Sequence, residues 1–165
     1  MKKLIIFIVF IFAFMLNNLN VAEAKVDEMS NQFDIIYTNT EYLDDGSYIV
    51  YTISQENSGF IMLIDEYSKT CQKTVTKYSN NDEVLWVYVL NATFLISDGV
   101  SSSCISTTYS TTINDTSWKF SDGNSYYNGN VAYGEGVFKN KVLFVTIQTI
   151  NIDISLTCDV NGNVS

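Results

Sequence analysis

From residue 46 onward the chain alternates apolar and polar positions in short runs rich in Val, Ile, Tyr, Phe and Thr, and clusters of Gly, Asn, Asp and Ser separate the runs. A period of two marks a strand with one buried face. The clearest case is 84–96. Its even positions, Val84, Trp86, Tyr88, Leu90, Ala92, Phe94 and Ile96, are all apolar, and its odd positions turn polar at Asn91 and Thr93. The even face is therefore the core face. No stretch shows a helical period of comparable quality.

The same reading places strands at 48–54 and 60–65, joined as a hairpin across Gln55-Glu56-Asn57-Ser58. Residues 72–78, with alternating lysines, read as an edge strand whose charges discourage pairing with another molecule. Asn80-Asn81-Asp82-Glu83 is a turn, and Ser97-Asp98-Gly99 is a hairpin signal. A strand over 103–113 carries Ile105, Tyr109 and Ile113 on one face. Cys104 then has the phase of the polar face, unless a bulge near 101–104 or a position at the strand entry re-aims it. A short strand holds Trp118, 121–130 reads as a loop, and 130–139 and 141–158 form a hairpin turning at Asn140. Ile150, Ile152, Ile154 and Leu156 share a phase with Cys158, which points that sulfur inward.

These elements predict an all-β fold, an antiparallel sandwich of immunoglobulin-like architecture with its topology left open. The spacing Cys104…Trp118…Cys158 suits an immunoglobulin domain. Leu156 does not, since it stands where a tyrosine corner would place Tyr, and neither do the seven residues after Cys158, too few for a closing strand.

Before the strands come two other segments. Lys2 and Lys3, an uncharged run over 4–16, and Ala22-Glu23-Ala24 have the layout of a secretory signal over residues 1–24. The run is shorter than the roughly 20 residues of a membrane-spanning helix. Cleavage would leave 141 residues, enough for one domain with a real core. The expected organisation is signal 1–24, a polar N-terminal segment 25–45 with at most one short strand at the apolar run 33–37, and the sandwich 46–165. The expected location is extracellular, released or held at the cell surface, with membrane contact only through the signal before cleavage.

Charge narrows the chemistry. The chain is at −9, all nine basic residues are lysines, and there is no histidine. Losing Lys2, Lys3 and Glu23 takes the remainder to −10. Without His there is no Ser-His-Asp machinery, HExxH zinc site or imidazole ligand. Without Arg there is no bidentate fork for phosphate or guanine, and a −10 domain is repelled by nucleic acid. No cofactor and no metal are expected. Cys71, Cys104 and Cys158 leave one odd cysteine after pairing in an oxidising compartment. The first choice is Cys104–Cys158, worth about 4 kcal/mol by loop entropy, with Cys71 odd. Cys71–Cys158 is the alternative.

Leu85-Trp86, Asn91-Ala92-Thr93-Phe94, Ser103-Cys104-Ile105-Ser106, Asp115-Thr116-Ser117-Trp118 and Ser155-Leu156-Thr157-Cys158 with Asn161-Gly162 resemble a family of small, uncharacterised, secreted β-rich proteins of Gram-positive bacteria. The resemblance covers roughly residues 70–165. It implies a secreted β domain with no assigned activity, and it favours Cys104–Cys158 as the bridge.

Candidate sites are few. Most acids sit in expected turns. Glu135 and Asp153 lie in expected strands, but a turn at Asn140 would hold them about 27 Å apart at about 3.4 Å per residue, far beyond the carboxyl spacing of a glycosidase. Asp159-Val-Asn161-Gly-Asn163 mimics the start of a calcium loop but reads as a turn. Gly134-Glu135-Gly136 reads as a bulge or tight bend. Tyr126 and Tyr127, in the expected loop, are candidate ligand contacts because exposed aromatics stack on sugars. The expected function is non-enzymatic: a secreted β domain that binds a cell-surface or cell-wall glycan or protein. A secreted acid-dependent hydrolase and a toxin or immunity factor are the alternatives.

Overall fold

The computed structural model describes residues 33–56 and 66–165. The expected signal and the expected strand at 60–65 lie outside them. The described residues form eight strands: β1 (Phe33–Tyr42), β2 (Tyr48–Glu56), β3 (Glu66–Tyr78), β4 (Val84–Ser97), β5 (Ser101–Ile113), β6 (Trp118–Asn128), β7 (Val131–Val142) and β8 (Val145–Thr157). They make two antiparallel sheets packed together, one of order β1-β2-β3-β4-β5 and one of order β6-β7-β8. Each hydrogen-bonded neighbour is also a neighbour in sequence. The topology is thus a meander without the Greek-key connections of an immunoglobulin domain.

β4 supplies the centre. Trp86, Tyr88, Leu90, Ala92, Phe94 and Ile96 are all buried, as the even-position pattern requires. From the smaller sheet come Trp118, Ala132, Phe138, Ile152, Ile154 and Leu156. Trp86 stacks on Phe138 with centroids 3.9 Å apart, and Trp118 meets Trp86 edge-on at 6.1 Å. This aromatic plug joins the two sheets.

Several elements differ from the sequence reading. The segment 25–45 supplies β1, a full edge strand paired to β2. Residues 66–78 form a central strand between β2 and β4, not an edge. Their lysines do not guard an edge: Lys69, Lys73 and Lys77 share a phase with buried Cys71 and Val75 and point between the sheets. The 121–130 segment is mostly strand, because β7 pairs with it as far as Asn128 despite its loop-like composition. The last hairpin turns at Leu143–Phe144, both at positive φ (47° and 72°), between paired Val142 and Val145. Two central residues at positive φ are the mark of a type I′ turn. The asparagine signal at Asn140 loses to the inward row on β8, and a bulge at Asn140/Lys141 absorbs the offset.

The expected re-aiming of Cys104 is present. The β4–β5 register runs from Thr93↔Ser106 to Phe94↔Cys104, so Ile105 is bulged out and Cys104 turns inward. Gly134-Glu135-Gly136 is not a bulge. All three residues sit in continuous register with β6 and β8. A Cβ on Gly134 would meet the Tyr88 hydroxyl at 2.8 Å, and one on Gly136 would meet the Tyr88 ring at 3.1 Å. The glycines are a flat slot in which Tyr88 lies against the β7 backbone.

Candidate functional site

The five-stranded sheet is wider than its three-stranded partner. On one side β5 runs straight into β6, and the sheets meet closely. On the other side the inner face of β1–β3 extends past β8. The sequence lays Tyr37, Asn39 and Glu41 on that inner face of β1, because Glu41 pairs with Ile49, Asn39 with Tyr51 and Tyr37 with Ile53. Tyr51 and Lys73 continue the face on β2 and β3. Across from them stand Asp153, Ile154 and Ser155 of β8, and together these residues line a groove of about 400 Å³.

Lys73 sits at the bottom of this groove. Its Nζ donates to the Ser155 carbonyl (3.0 Å), and burial lowers its pKa. An ammonium has three donors, so that one bond leaves capacity facing the groove. On the wall, the Tyr51 hydroxyl donates to Glu41 (3.3 Å). Burial raises the Tyr51 pKa, and the Glu41 charge adds to the shift. One cation against two carboxylates, Glu41 and Asp153, gives the groove a mildly acidic, hydrogen-bonding lining between two tyrosine rings.

Asp153 also belongs to the outer face of the small sheet. There Asn124, Glu135 and Asp153 form one cross-strand row, and Tyr126, Tyr133 and Ser155 form the next. Glu135 and Asp153 are direct partners, which overturns the wide separation expected from a turn at Asn140. Directly opposed side chains have Cβ atoms about 4.5–5.5 Å apart. Tyr126 stacks on Tyr133 (4.9 Å, 14°), and its hydroxyl donates to Glu135 Oε1 (3.3 Å). Loss of solvent and the Glu135 charge raise the Tyr126 pKa. Tyr126 and Tyr127 are therefore strand residues of β6, not loop residues. Tyr126 joins the acidic row, whereas Tyr127 is exposed in the opposite phase, opposite Ala132.

A second cavity, of about 260 Å³, is lined by Asp45, Ser47, Lys77, Asp115, Trp118 and Asn140 among others. Lys77 is buried and bonds to the Ser47 hydroxyl. Burial lowers its pKa, and nearby Asp45 partly restores it. Nothing aromatic stands open in this cavity, since Trp118 is buried.

The three cysteines are brought close but not joined. Cys71, Cys104 and Cys158 are buried, unpaired thiols, so the expected Cys104–Cys158 bridge is not formed, nor is its alternative. The Cys104 thiol is turned to the Ser106 carbonyl (3.4 Å) and the Cys158 thiol to the Asp159 carbonyl (3.6 Å), which aims each sulfur along its own chain segment. Burial pushes the Cys71 thiol up to about 12. It raises Cys104 and Cys158 as well, and the neighbouring Cys158 adds to the shift of both others. These are not nucleophilic thiols.

Among the described residues no group of three or more Cys, Asp or Glu converges as a metal site. Asp159 spends its carboxylate on its own turn, accepting from the backbone N–H groups of Asn161 and Asn163, both at 2.8 Å. No family model, curated protein or solved structure matches this chain. Sequence reasoning missed Tyr37, Asn39, Glu41, Tyr51, Lys73 and Ser155. The available signal was the spacing of Lys69, Lys73 and Lys77, which in a strand puts all three on the face of Cys71 and Val75.

Proposed function

We propose that this chain is an extracellular carbohydrate-binding domain and that the groove between β1–β3 and β8 is its ligand site. The observation that carries the reading is the composition of that groove: Tyr37 and Tyr51 beside Asn39, Glu41, Lys73 and Asp153. A pyranose ring offers an apolar C–H face and a rim of hydroxyls. Tyrosine rings suit the first. Carboxylate, amide and ammonium groups suit the second. The acidic balance favours neutral or amino-bearing sugars over uronic acids. Asp153 belongs to both surfaces, so a longer glycan would cross β8 onto the Tyr126–Tyr133 pair. The signal-like residues 1–24 and the resemblance to secreted Gram-positive proteins support a site of action outside the cell.

The experiment is a screen of the protein against immobilised neutral and amino-sugar oligosaccharides, repeated with Tyr51→Ala. Saturable binding that the substitution abolishes supports the reading. Binding to none of the sugars, or binding indifferent to Tyr51, refutes it.

A second reading, acid-dependent glycan hydrolysis, is favoured by the direct pairing of Glu135 with Asp153. Two carboxyls about 5–5.5 Å apart are the machinery of a retaining glycosidase. Both acids are on an open face, where nothing encloses a reacting bond or excludes water, so binding is the stronger reading. Release of reducing ends from a bound oligosaccharide, lost in Glu135→Gln, would make hydrolysis the better one.

A further inference from the structure

The β7–β8 hairpin carries a feature that glycan binding does not use. Val142, Leu143, Phe144, Val145 and Ile147 are all exposed, with Leu143 at 87% and Phe144 at 99%. Leu143 and Phe144 both occupy the left-handed region, where bulky residues are disfavoured and Asn-Gly would be the ordinary choice. Here the two most exposed large apolar side chains among the described residues are held at the very tip, in backbone conformations that cost free energy. Strain of this kind persists where a site needs it.

The tip also projects. The last β6–β7 pair is Trp118↔Asn140. Beyond it the Lys141↔Thr146 and Val142↔Val145 pairs have no third strand beside them, apart from one bond from the Lys141 N–H to the Ser117 carbonyl (2.8 Å). An apolar convex tip on a two-stranded ribbon suits insertion into a soft phase better than docking on a flat surface.

Charge points to the phase. Six lysines lie among the described residues: Lys69, Lys73 and Lys77 point between the sheets, and Lys119, Lys139 and Lys141 stand at the root of this hairpin, with Lys119 and Lys139 directly paired. Two lysines opposite one another repel. From residue 139 to 149 there is not one acid, in a chain with 18. The hairpin strands themselves thus carry lysine and no acid at the base of this apolar projection, while Asp45 and Asp115 line the cavity beside Asn140 and Gln148 at its root.

We infer that the β7–β8 tip is a membrane anchor: Leu143 and Phe144 enter the acyl boundary of an anionic lipid surface while Lys119, Lys139 and Lys141 meet its headgroups. Interfacial anchoring of this kind combines a small buried apolar area with electrostatic attraction to anionic lipid. It departs from the expectation that the chain meets membrane only through residues 1–24, and it is independent of the glycan site.

The test uses the full chain carrying Phe144→Trp, with vesicles of equal parts brominated phosphatidylglycerol and phosphatidylcholine. Trp86 and Trp118 are buried, so their emission reports the fold and the introduced indole reports the tip. The expected result is a blue shift and quenching of the new indole. Adding Lys139→Gln and Lys141→Gln should raise the lipid concentration for half-maximal quenching by about thirtyfold, two headgroup-facing lysines having been lost. An indole that stays unquenched in excess lipid overturns the anchor. Equal quenching by pure brominated phosphatidylcholine overturns the anionic assignment.

Discussion

Glu135 of β7 and Asp153 of β8 stand directly opposite one another on the outer face of the small sheet, with Asn124 of β6 completing the row. Like charges in direct cross-strand pairs destabilise a sheet. Asp153→Asn is therefore expected to raise stability by ~0.2–1 kcal/mol at low salt, and by less as salt screens the pair. The same substitution changes a groove-lining carboxylate, so it should weaken sugar capture while strengthening the fold. Urea midpoints at two ionic strengths, beside a binding titration, check both signs.

The slot that receives Tyr88 gives a sharper stability prediction. Gly134→Ala would drive a methyl into the Tyr88 hydroxyl and Leu90, and the single Tyr88 hydroxyl proton is already shared between the Glu135 carbonyl (3.2 Å) and the Asn124 carbonyl (3.3 Å). Overpacking of this sort costs about 1–3 kcal/mol. Tyr88→Phe removes the nearest clashing atom, so the double variant should lose less than the sum of the two single losses. A double-mutant cycle by chemical denaturation measures the difference.

Stability should fall in alkali. Burial raises the Cys71 thiol from 9.0 to about 12 and the Tyr88 phenol from 10.0 to about 12, and it raises Cys104 and Cys158 in the same sense. The folded chain then holds protons that the unfolded chain releases. This contribution is complete below the unfolded values and is lost as pH climbs toward the folded ones. Lys73 and Lys77, lowered by burial, act in the opposite sense as pH approaches 10.5, the ordinary lysine value. Tyr48, Tyr51, Tyr67 and Tyr126 are raised as well, so with eight raised groups against two lowered lysines denaturation midpoints are expected to drop between pH 9 and 11, and Cys71→Ala should flatten the slope. In the same native state a thiol-alkylating reagent at neutral pH should leave all three cysteines unmodified, and mass spectrometry reads the count.

Leu143 and Phe144 bring a gain rather than a loss. Replacing them by Leu143→Asn and Phe144→Gly puts the favoured type I′ pair into the turn. Relief of strain at two positive-φ positions is expected to stabilise the protein by about 1–3 kcal/mol. A rise in thermal midpoint checks it; an unchanged or lowered midpoint would show that the turn carries no strain.

Much of the sandwich was legible in the sequence. The even face of β4 and the inward Cys158 follow from alternation, because a buried face enforces period two, and the turns at 80–83 and 97–99 follow from their Asn, Asp and Gly residues. Cys104 broke the alternation, and the bulge at Ile105 turns it inward. What alternation does not carry is which strand lies beside which. Lys73 and Lys77 looked like edge charges because charge on a strand ordinarily means solvent. In the fold their stems cross the inner face, and their ammonium groups find Ser155 and Ser47. The site failed for the same reason. Tyr37, Tyr51 and Asp153 are far apart in sequence, and only the overhang of one sheet beyond the other makes them neighbours. Asn140 was a reasonable turn signal, yet moving the turn to Leu143–Phe144 changed the partner of Glu135 and with it the reading of the acids. The immunoglobulin resemblance rested on Cys-Trp-Cys spacing, which says nothing of strand order.

The most direct measurement is amide chemical-shift mapping of the labelled protein during titration with neutral and amino-sugar oligosaccharides. The account predicts saturable shifts at Tyr37, Asn39, Tyr51, Lys73, Asp153 and Ser155, extending to Tyr126 and Tyr133 only with longer chains. Absence of saturable shifts with any of these sugars, or shifts confined to the outer face of the five-stranded sheet, would contradict it.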